Sequence, residues 1–446
     1  MNLSKLLTNF IFLKIIFLFT GVLSLFIIDS DFYYFPILIN FLFVIFFFYY
    51  TKYSINSNIS FNKLSLIFLL NSILFLGLFK VLFLSYNDNF FEFFAKDSIQ
   101  YFNYSIRFLN NGIIYSIEEY IRLGEDIEDL GAIFFTTISS LIFNSPISFN
   151  IINIFAGYIC VLSLYRLSSQ FMPRKFVIIM CFTYIFSSFN FYYFSTGMKE
   201  TLFIMFIILF FENFYYLIKF KQIKFLILSF LFLTALYFFR PAVLYFIILA
   251  ILISAIITQR NKFKLIFLLP LALLSLFLLF QFLVQITERY FTDFESLSYR
   301  VEYAGIDSGV FSYISSFASG FLGPFPTLFP LAERIQQFFY SPGLIFKLFL
   351  SIYFYIGLIN VWFSRNIFLT SIYVFIIIHT FAISFILQAF ELRFLYPHFI
   401  LFYMLSFYTM HNMYVGKIDY RKYKPIIKFY NIIVVILILY WNSRLI

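Results

Sequence analysis

IKFLILSFLFLTALYFFRPAVLYFIILAILISAIIT, residues 223–258, contains two charged residues, Lys224 near its start and Arg240 in the middle. On either side of Arg240-Pro241 lies an apolar run close to the roughly 20 residues that a helix needs to cross a bilayer. Neither run alternates polar and apolar residues, as a barrel strand would. Comparable runs recur along all 446 residues, of which 63% are hydrophobic, 25% aromatic and 12% charged. Soluble domains are about 25% charged and 45–50% apolar, so a soluble protein of this length has no means of hiding this much apolar surface. Disorder, coiled coil and a secreted disulfide scaffold are excluded on the same grounds. Cys160 and Cys181 both sit in apolar runs and form no framework. His379, His398 and His411 are too dispersed for a zinc motif.

The expected fold is an all-α polytopic membrane protein of about thirteen spans, a single integral membrane domain over 1–446. The spans are Leu6 to Ile28, Tyr33 to Tyr50, Leu64 to Leu84, Ile147 to Leu167, Phe176 to Phe194, Thr201 to Ile218 and Ile223 to Phe239. They continue with Ala242 to Thr258, Phe263 to Ile286, Gly343 to Phe363, Ile367 to Ala389, Phe394 to His411 and Ile426 to Trp441. The first apolar stretch follows Lys5 as in a signal peptide, but it lacks a small-residue cleavage site and runs too long, so it reads as an anchor.

Charge tests the arrangement, because short cytoplasmic loops hold Lys and Arg. With the N-terminus inside, the basic groups at 52 and 63, 166–175, 219–224, 260–264, 365 and 417–424 all fall inside. All of the 21 acids except Glu212 and Asp419 then face outward. The net charge of +10 follows from this distribution and does not imply a nucleic-acid partner. Two outer loops, 85–146 and 287–342, are longer than connectors need to be. No internal repeat is present, which argues against an inverted-repeat transporter. In the first loop, Ile99, Phe102, Ile106, Leu109 and Ile113 share one helical face opposite Gln100, Asn103, Arg107 and Asn110, the pattern of a helix lying on the membrane. Gly131 to Phe143 is a second half-buried stretch. The acidic run Glu118 to Asp129 between them reads as a solvated linker.

Each candidate for chemistry also has an ordinary structural explanation. Asp97, followed by Gln100, suits a helix N-cap. Gly197 suits a turn, with Lys199 as a headgroup anchor and Glu200 in a first helical turn. Arg240 before Pro241 suits a snorkelling side chain, as do Glu391 and Arg393 near Pro397. Glu212, mid-span beside Asn213, suits a buried helix contact. The topology nonetheless brings Asp97, Lys199, Glu200, Arg240, Glu391 and Arg393 to one face at similar depth. Charge at the centre of a spanning helix costs about 2.5–3.5 kcal/mol, and such a cluster points to a polar cavity that opens outward.

The order Asp97-Ser98 with Tyr101 and Gly112, then Lys199-Glu200, Arg240-Pro241, Gly323-Pro324-Phe325-Pro326 and Glu391-Leu392-Arg393 resembles the GT-C superfamily of polyprenyl-phosphate-dependent glycosyltransferases. Within it, the pattern is similar to the polysaccharide polymerases of bacterial surface-glycan loci, over roughly residues 80–397. The resemblance implies a bacterial cytoplasmic-membrane enzyme with a polyprenol-linked glycan donor and a glycan or lipid acceptor. It also implies Asp97 as general base, with Tyr101, Lys199, Glu200, Arg240, Glu391 and Arg393 around the substrate. Many members carry a second acid where this chain has Ser98, which leaves open whether a divalent metal takes part. A flippase or transporter for an anionic amphiphile would use the same basic cavity without a base. A non-catalytic scaffold fits the long loops less well.

Overall fold

The computed structural model describes residues 36–43, 45–46, 49, 61–87, 90–93, 96–124, 126–142, 145, 147–258, 310–329, 335–364, 366–385 and 391–443. Among the described residues there are helices and no strands. Apolar runs of this length favour that outcome, since in lipid a helix satisfies its own backbone N–H and C=O groups. In chain order, α1 (Phe61–Asn87) is followed by three shorter helices, α2 (Lys96–Asn111), α3 (Ile113–Arg122) and α4 (Ile127–Ile142). Then come α5 (Ser148–Ser168), α6 (Arg174–Ile185), α7 (Ser188–Ser195), α8 (Glu200–Phe220), α9 (Ile223–Tyr237) and α10 (Pro241–Thr258). The last group is α11 (Val310–Leu322), α12 (Ile335–Ser364), α13 (Ile367–Phe385), α14 (Leu392–Leu395), a 3-10 turn at Tyr396–His398, α15 (Phe399–Tyr414) and α16 (Tyr420–Ser443).

Among the described residues, seven helices, α1, α5, α8, α10, α12, α13 and α16, are long and apolar enough to cross a membrane. The pair α6 and α7, bent by 54°, makes an eighth if counted as one span. Of the thirteen expected spans, 6–28 and 263–286 lie outside the described residues, as does part of 33–50. Ile223 to Phe239 becomes a helix of 15 residues, and Phe394 to His411 is divided among α14, the 3-10 turn and the 16-residue α15. Pro397, which has no N–H to donate, lies at the division.

The second long loop ends earlier than Pro342, because α12 begins at Ile335 and carries Pro342 inside it. A proline there leaves the carbonyl four residues back without its helical donor. That carbonyl, on Phe338, accepts the Asn40 side-chain amide at 2.8 Å instead. Aromatic residues supply much of the core: Phe43 stacks on Phe75 at 4.3 Å, Phe75 lies 4.7 Å from Phe191, and Phe79 meets Phe339 edge-on at 5.1 Å. This places α7, with all eight residues buried, between α1 and α12. The first long loop folds into α2, α3 and α4 at the end of the bundle where α7 turns into α8.

The protein side of α2 is not its apolar stripe. Ser98, Tyr101, Ser105 and Phe108 are buried, while Ile99 is exposed and Phe102, Ile106 and Leu109 are half-buried. The stripe therefore remains available to lipid, and the helix docks through small and hydroxyl-bearing residues. At its end Gly112, with φ +87°, makes the turn into α3.

Candidate functional site

The site is assembled around the turn between α7 and α8. From α5, Asn150 donates to the Thr196 carbonyl at 2.7 Å, and Asn153 donates to the Thr196 and Met198 carbonyls at 3.0 and 3.1 Å. The Gly197 N–H donates to Glu92 Oε2 at 3.1 Å, and Ser98 Oγ donates to Glu92 Oε1. A Cβ at position 197 would lie 2.8 Å from Ser98 Cβ, so only glycine permits α2 to approach this closely. Glu92 thus ties the start of α2 to the turn that precedes α8. Its burial pushes the carboxyl above the ordinary range, opposed by the Ser98 hydroxyl, Lys80 and the Gly197 N–H. Lys80 also donates to the Phe90 carbonyl at 2.7 Å.

Two ionic groups meet at this end of the bundle. In the first, Lys199 Nζ lies 2.6 Å from Asp129 Oδ1 and donates to the Glu128 carbonyl at 2.9 Å. The Tyr101 hydroxyl donates to the same Asp129 oxygen at 2.8 Å. Burial and the neighbouring Asp129 hold the Tyr101 hydroxyl protonated, its pKa well above the ordinary value. In the second, Arg393 donates through Nη1 to Asp97 Oδ2 and through Nε to Glu391 Oε2, both at 2.9 Å. These side chains are about one-third to two-fifths exposed, so solvent reaches this group.

Behind Arg393, the Phe394 ring is shared by two guanidinium groups, that of Arg393 at 4.8 Å and that of Arg240 at 5.0 Å, with Phe203 5.8 Å from Arg240. Arg240 occupies the break between α9 and α10, where Gly131 of α4 also docks by donating its N–H to the Phe238 carbonyl at 3.0 Å. Glu200 is 4% exposed and lies within electrostatic reach of Arg240, Arg393 and Lys199. Arg240 Nη1 and Glu200 Oε2 are buried without a hydrogen-bond partner. One cationic donor and one carboxylate oxygen therefore remain unmatched beside a group that solvent can reach. Buried polar atoms are seldom left so, and at a cleft they mark a place for a ligand.

The seven candidate residues thus come together, with changes to their expected surroundings. Asp97 is the second residue of α2, inside the helix and not before it, and its carboxylate is taken by Arg393. Lys199 is engaged by Asp129, which leaves Arg240 as the cation with an open donor. The acidic run does not stay a solvated linker: Glu118 and Glu119 lie in α3, while Asp129 pairs with Lys199 and Tyr101. Glu212 finds a charged partner, accepting from Arg166 at 2.6 and 2.9 Å and from Ser163. Arg166 comes from a helix end that the charge pattern had set inside, and Asn213 only turns back on its own helix at the Leu209 carbonyl. His379 and His398, far apart in sequence, touch through their Nδ1 atoms at 3.0 Å. Asp129, Glu92 and Lys80 were not singled out from sequence. A solitary lysine inside an apolar run was the available signal for Lys80, whereas Asp129 looked like any other residue of a charged run. Among the described residues no group of three or more His, Cys, Asp or Glu side chains is placed to hold a metal ion. Comparison of the chain with family models, with curated proteins and with solved structures gives no match.

Proposed function

We propose that the chain is a membrane glycosyltransferase that takes a sugar or oligosaccharide from a polyprenol-linked donor at the outer face of a bacterial cytoplasmic membrane. The product belongs to surface-glycan assembly, with chain polymerisation as the specific form. One observation carries this reading: the unmatched Arg240 donor and the unmatched Glu200 oxygen lie beside the solvent-reached Asp97–Arg393–Glu391 group. A phosphate that leaves from an anomeric carbon needs a cation, and an attacking hydroxyl needs a proton acceptor.

In this mechanism the acceptor oxygen forms a bond to the anomeric carbon as the bond from that carbon to the lipid phosphate breaks. The hydroxyl proton passes to Asp97, and the phosphate departs with the bonding electrons toward Arg240. Arg393 orients Asp97 and lies near enough to share the developing negative charge. Glu391 holds the other side of the Arg393 guanidinium, and Lys199 with Tyr101 and Asp129 keeps the surface helices over the turn. The lipid tail runs between helices. The family resemblance contributes the sugar chemistry, since a transporter for the same anion would need the cations alone.

Asp97→Asn tests the base. Asn lacks charge but keeps a similar shape and an acceptor for Arg393, so the chain should insert and accumulate. Transfer should fall by about 10²–10⁴-fold. Transfer near the parent rate in Asp97→Asn, together with its loss in Glu200→Gln, would move the base to Glu200.

A further inference from the structure

Lys347 takes no part in the group described above. It lies in the middle of α12, about 18 Å along the helix from Ile335 at a rise of 1.5 Å per residue. The residue is 1% exposed. Among the described residues no carboxylate pairs with it; its Nζ lies over the Phe399 and Phe402 rings at 5.1 and 5.0 Å. Helical side chains lean toward the N-terminus of their helix, which for α12 is the end where Gln336 donates to the Phe93 carbonyl, beside Glu92.

Its surroundings are shaped for it. Gly323, at φ +111°, lies so close that a Cβ would come 2.8 Å from Lys347 Nζ. The Phe399 ring under Lys347 also meets the His398 ring at 5.4 Å, and His398 touches His379 through their Nδ1 atoms. Lys347, His398 and His379 thus form one contiguous group around the Phe399 ring. Two aromatic faces offset only part of the cost of removing an ammonium group from water. For a protonated lysine the remaining stabilisation comes from a negative charge, which the described residues do not supply.

We propose that Lys347 and His398 form a second, deeper anion site that takes a phosphoryl group. Lys347 supplies the charge and His398 a ring N–H, and His379 fixes the His398 ring through the contact between their Nδ1 atoms. The proposal rests on the lipid-phosphate part of the proposed function. It is tested by binding alone, so it stands or falls separately from any transfer activity.

The experiment is thermal unfolding of the full chain in detergent with three probes: a short-chain prenyl phosphate, the corresponding prenol and inorganic phosphate. A rise in Tm with the phosphates and not with the prenol is expected. A rise with prenyl phosphate alone makes the ligand a lipid headgroup, and a rise with both makes it any phosphate small enough to enter. Lys347→Met should weaken phosphate binding about tenfold, the scale of one charge-assisted contact, without lowering the ligand-free Tm, because it removes an unpaired buried charge. Lys347→Arg should keep the response. The proposal is overturned if the parent shows no phosphate-dependent shift, or if Lys347→Met binds as the parent does. It is equally overturned if Lys347→Met fails to accumulate or melts lower without ligand, since Lys347 would then be holding the end of α11 at Gly323.

Discussion

Arg393 holds Asp97 through one arm of its guanidinium and Glu391 through another, both at 2.9 Å, and rests its face on Phe394. A planar fork can satisfy all three contacts at once, whereas an ammonium group is a single point of charge. Arg393→Lys should therefore keep the net charge and lose one of the two carboxylates. Losing one charged hydrogen bond corresponds to about 1.5–3 kcal/mol, so transfer should fall roughly 10- to 100-fold. Arg240→Lys should do the same for a different reason, because Arg240 stands between two rings and has an open donor that a lysine cannot place in the same plane. The readout is transfer rate at equal membrane abundance. Full activity in both variants would leave these arginines as anchors at the membrane surface.

At the scale of elements, what the sequence makes legible depends on how local the signal is. Apolar length marks α1, α5, α8, α10, α12, α13 and α16 because a helix in lipid is decided by a continuous run of residues. The bend between α6 and α7 was not visible, since residues 176–194 contain no charge, glycine or proline; Ser187 at the bend bonds the Thr183 carbonyl and also the Tyr403 hydroxyl, far away in the chain. The docking face of α2 was not legible, because burial against protein uses Ser98, Tyr101 and Ser105, which an apolar count ignores. The candidate residues could be gathered from topology alone, because Asp97, Lys199, Arg240 and Arg393 each sit at a break in apolar sequence. Their pairings could not, since which carboxylate meets which cation depends on helix rotation.

Gly131 offers a test at this scale. Its N–H bonds the Phe238 carbonyl, and a Cβ there would lie 2.7 Å from the Phe239 ring and 2.8 Å from that carbonyl. Backbone on one side and a buried ring on the other leave little room to relax. Gly131→Ala should destabilise the protein by about 1–3 kcal/mol, the range for overpacking. Because α4 also carries Asp129, the same change should loosen the Lys199 pair and reduce activity beyond the loss of stability. A Tm equal to that of the parent would show that α4 is not held at the α9–α10 break in this way.

For the whole molecule, the two ionic ends of the bundle have different characters. The Arg166–Glu212 pair is a tie between two helices: Glu212 takes both Arg166 contacts together with the Ser163 hydroxyl. The opposite end, with Arg393, Asp97, Glu391, Arg240 and Glu200, keeps unmatched atoms and solvent access. An asymmetry of this kind fits a protein with one working face toward a substrate anchored in the membrane. An enzyme and a flippase would both show it, and they differ in whether a covalent bond is made. The direct measurement is reconstitution of the purified chain in liposomes with a polyprenol-linked glycan and an acceptor, following glycosidic-bond formation and glycan movement across the bilayer in the same vesicles. The enzyme reading predicts a new glycosidic bond in the parent and its near absence in Asp97→Asn, with no net movement of glycan. Movement of glycan across the bilayer without any new bond would contradict it.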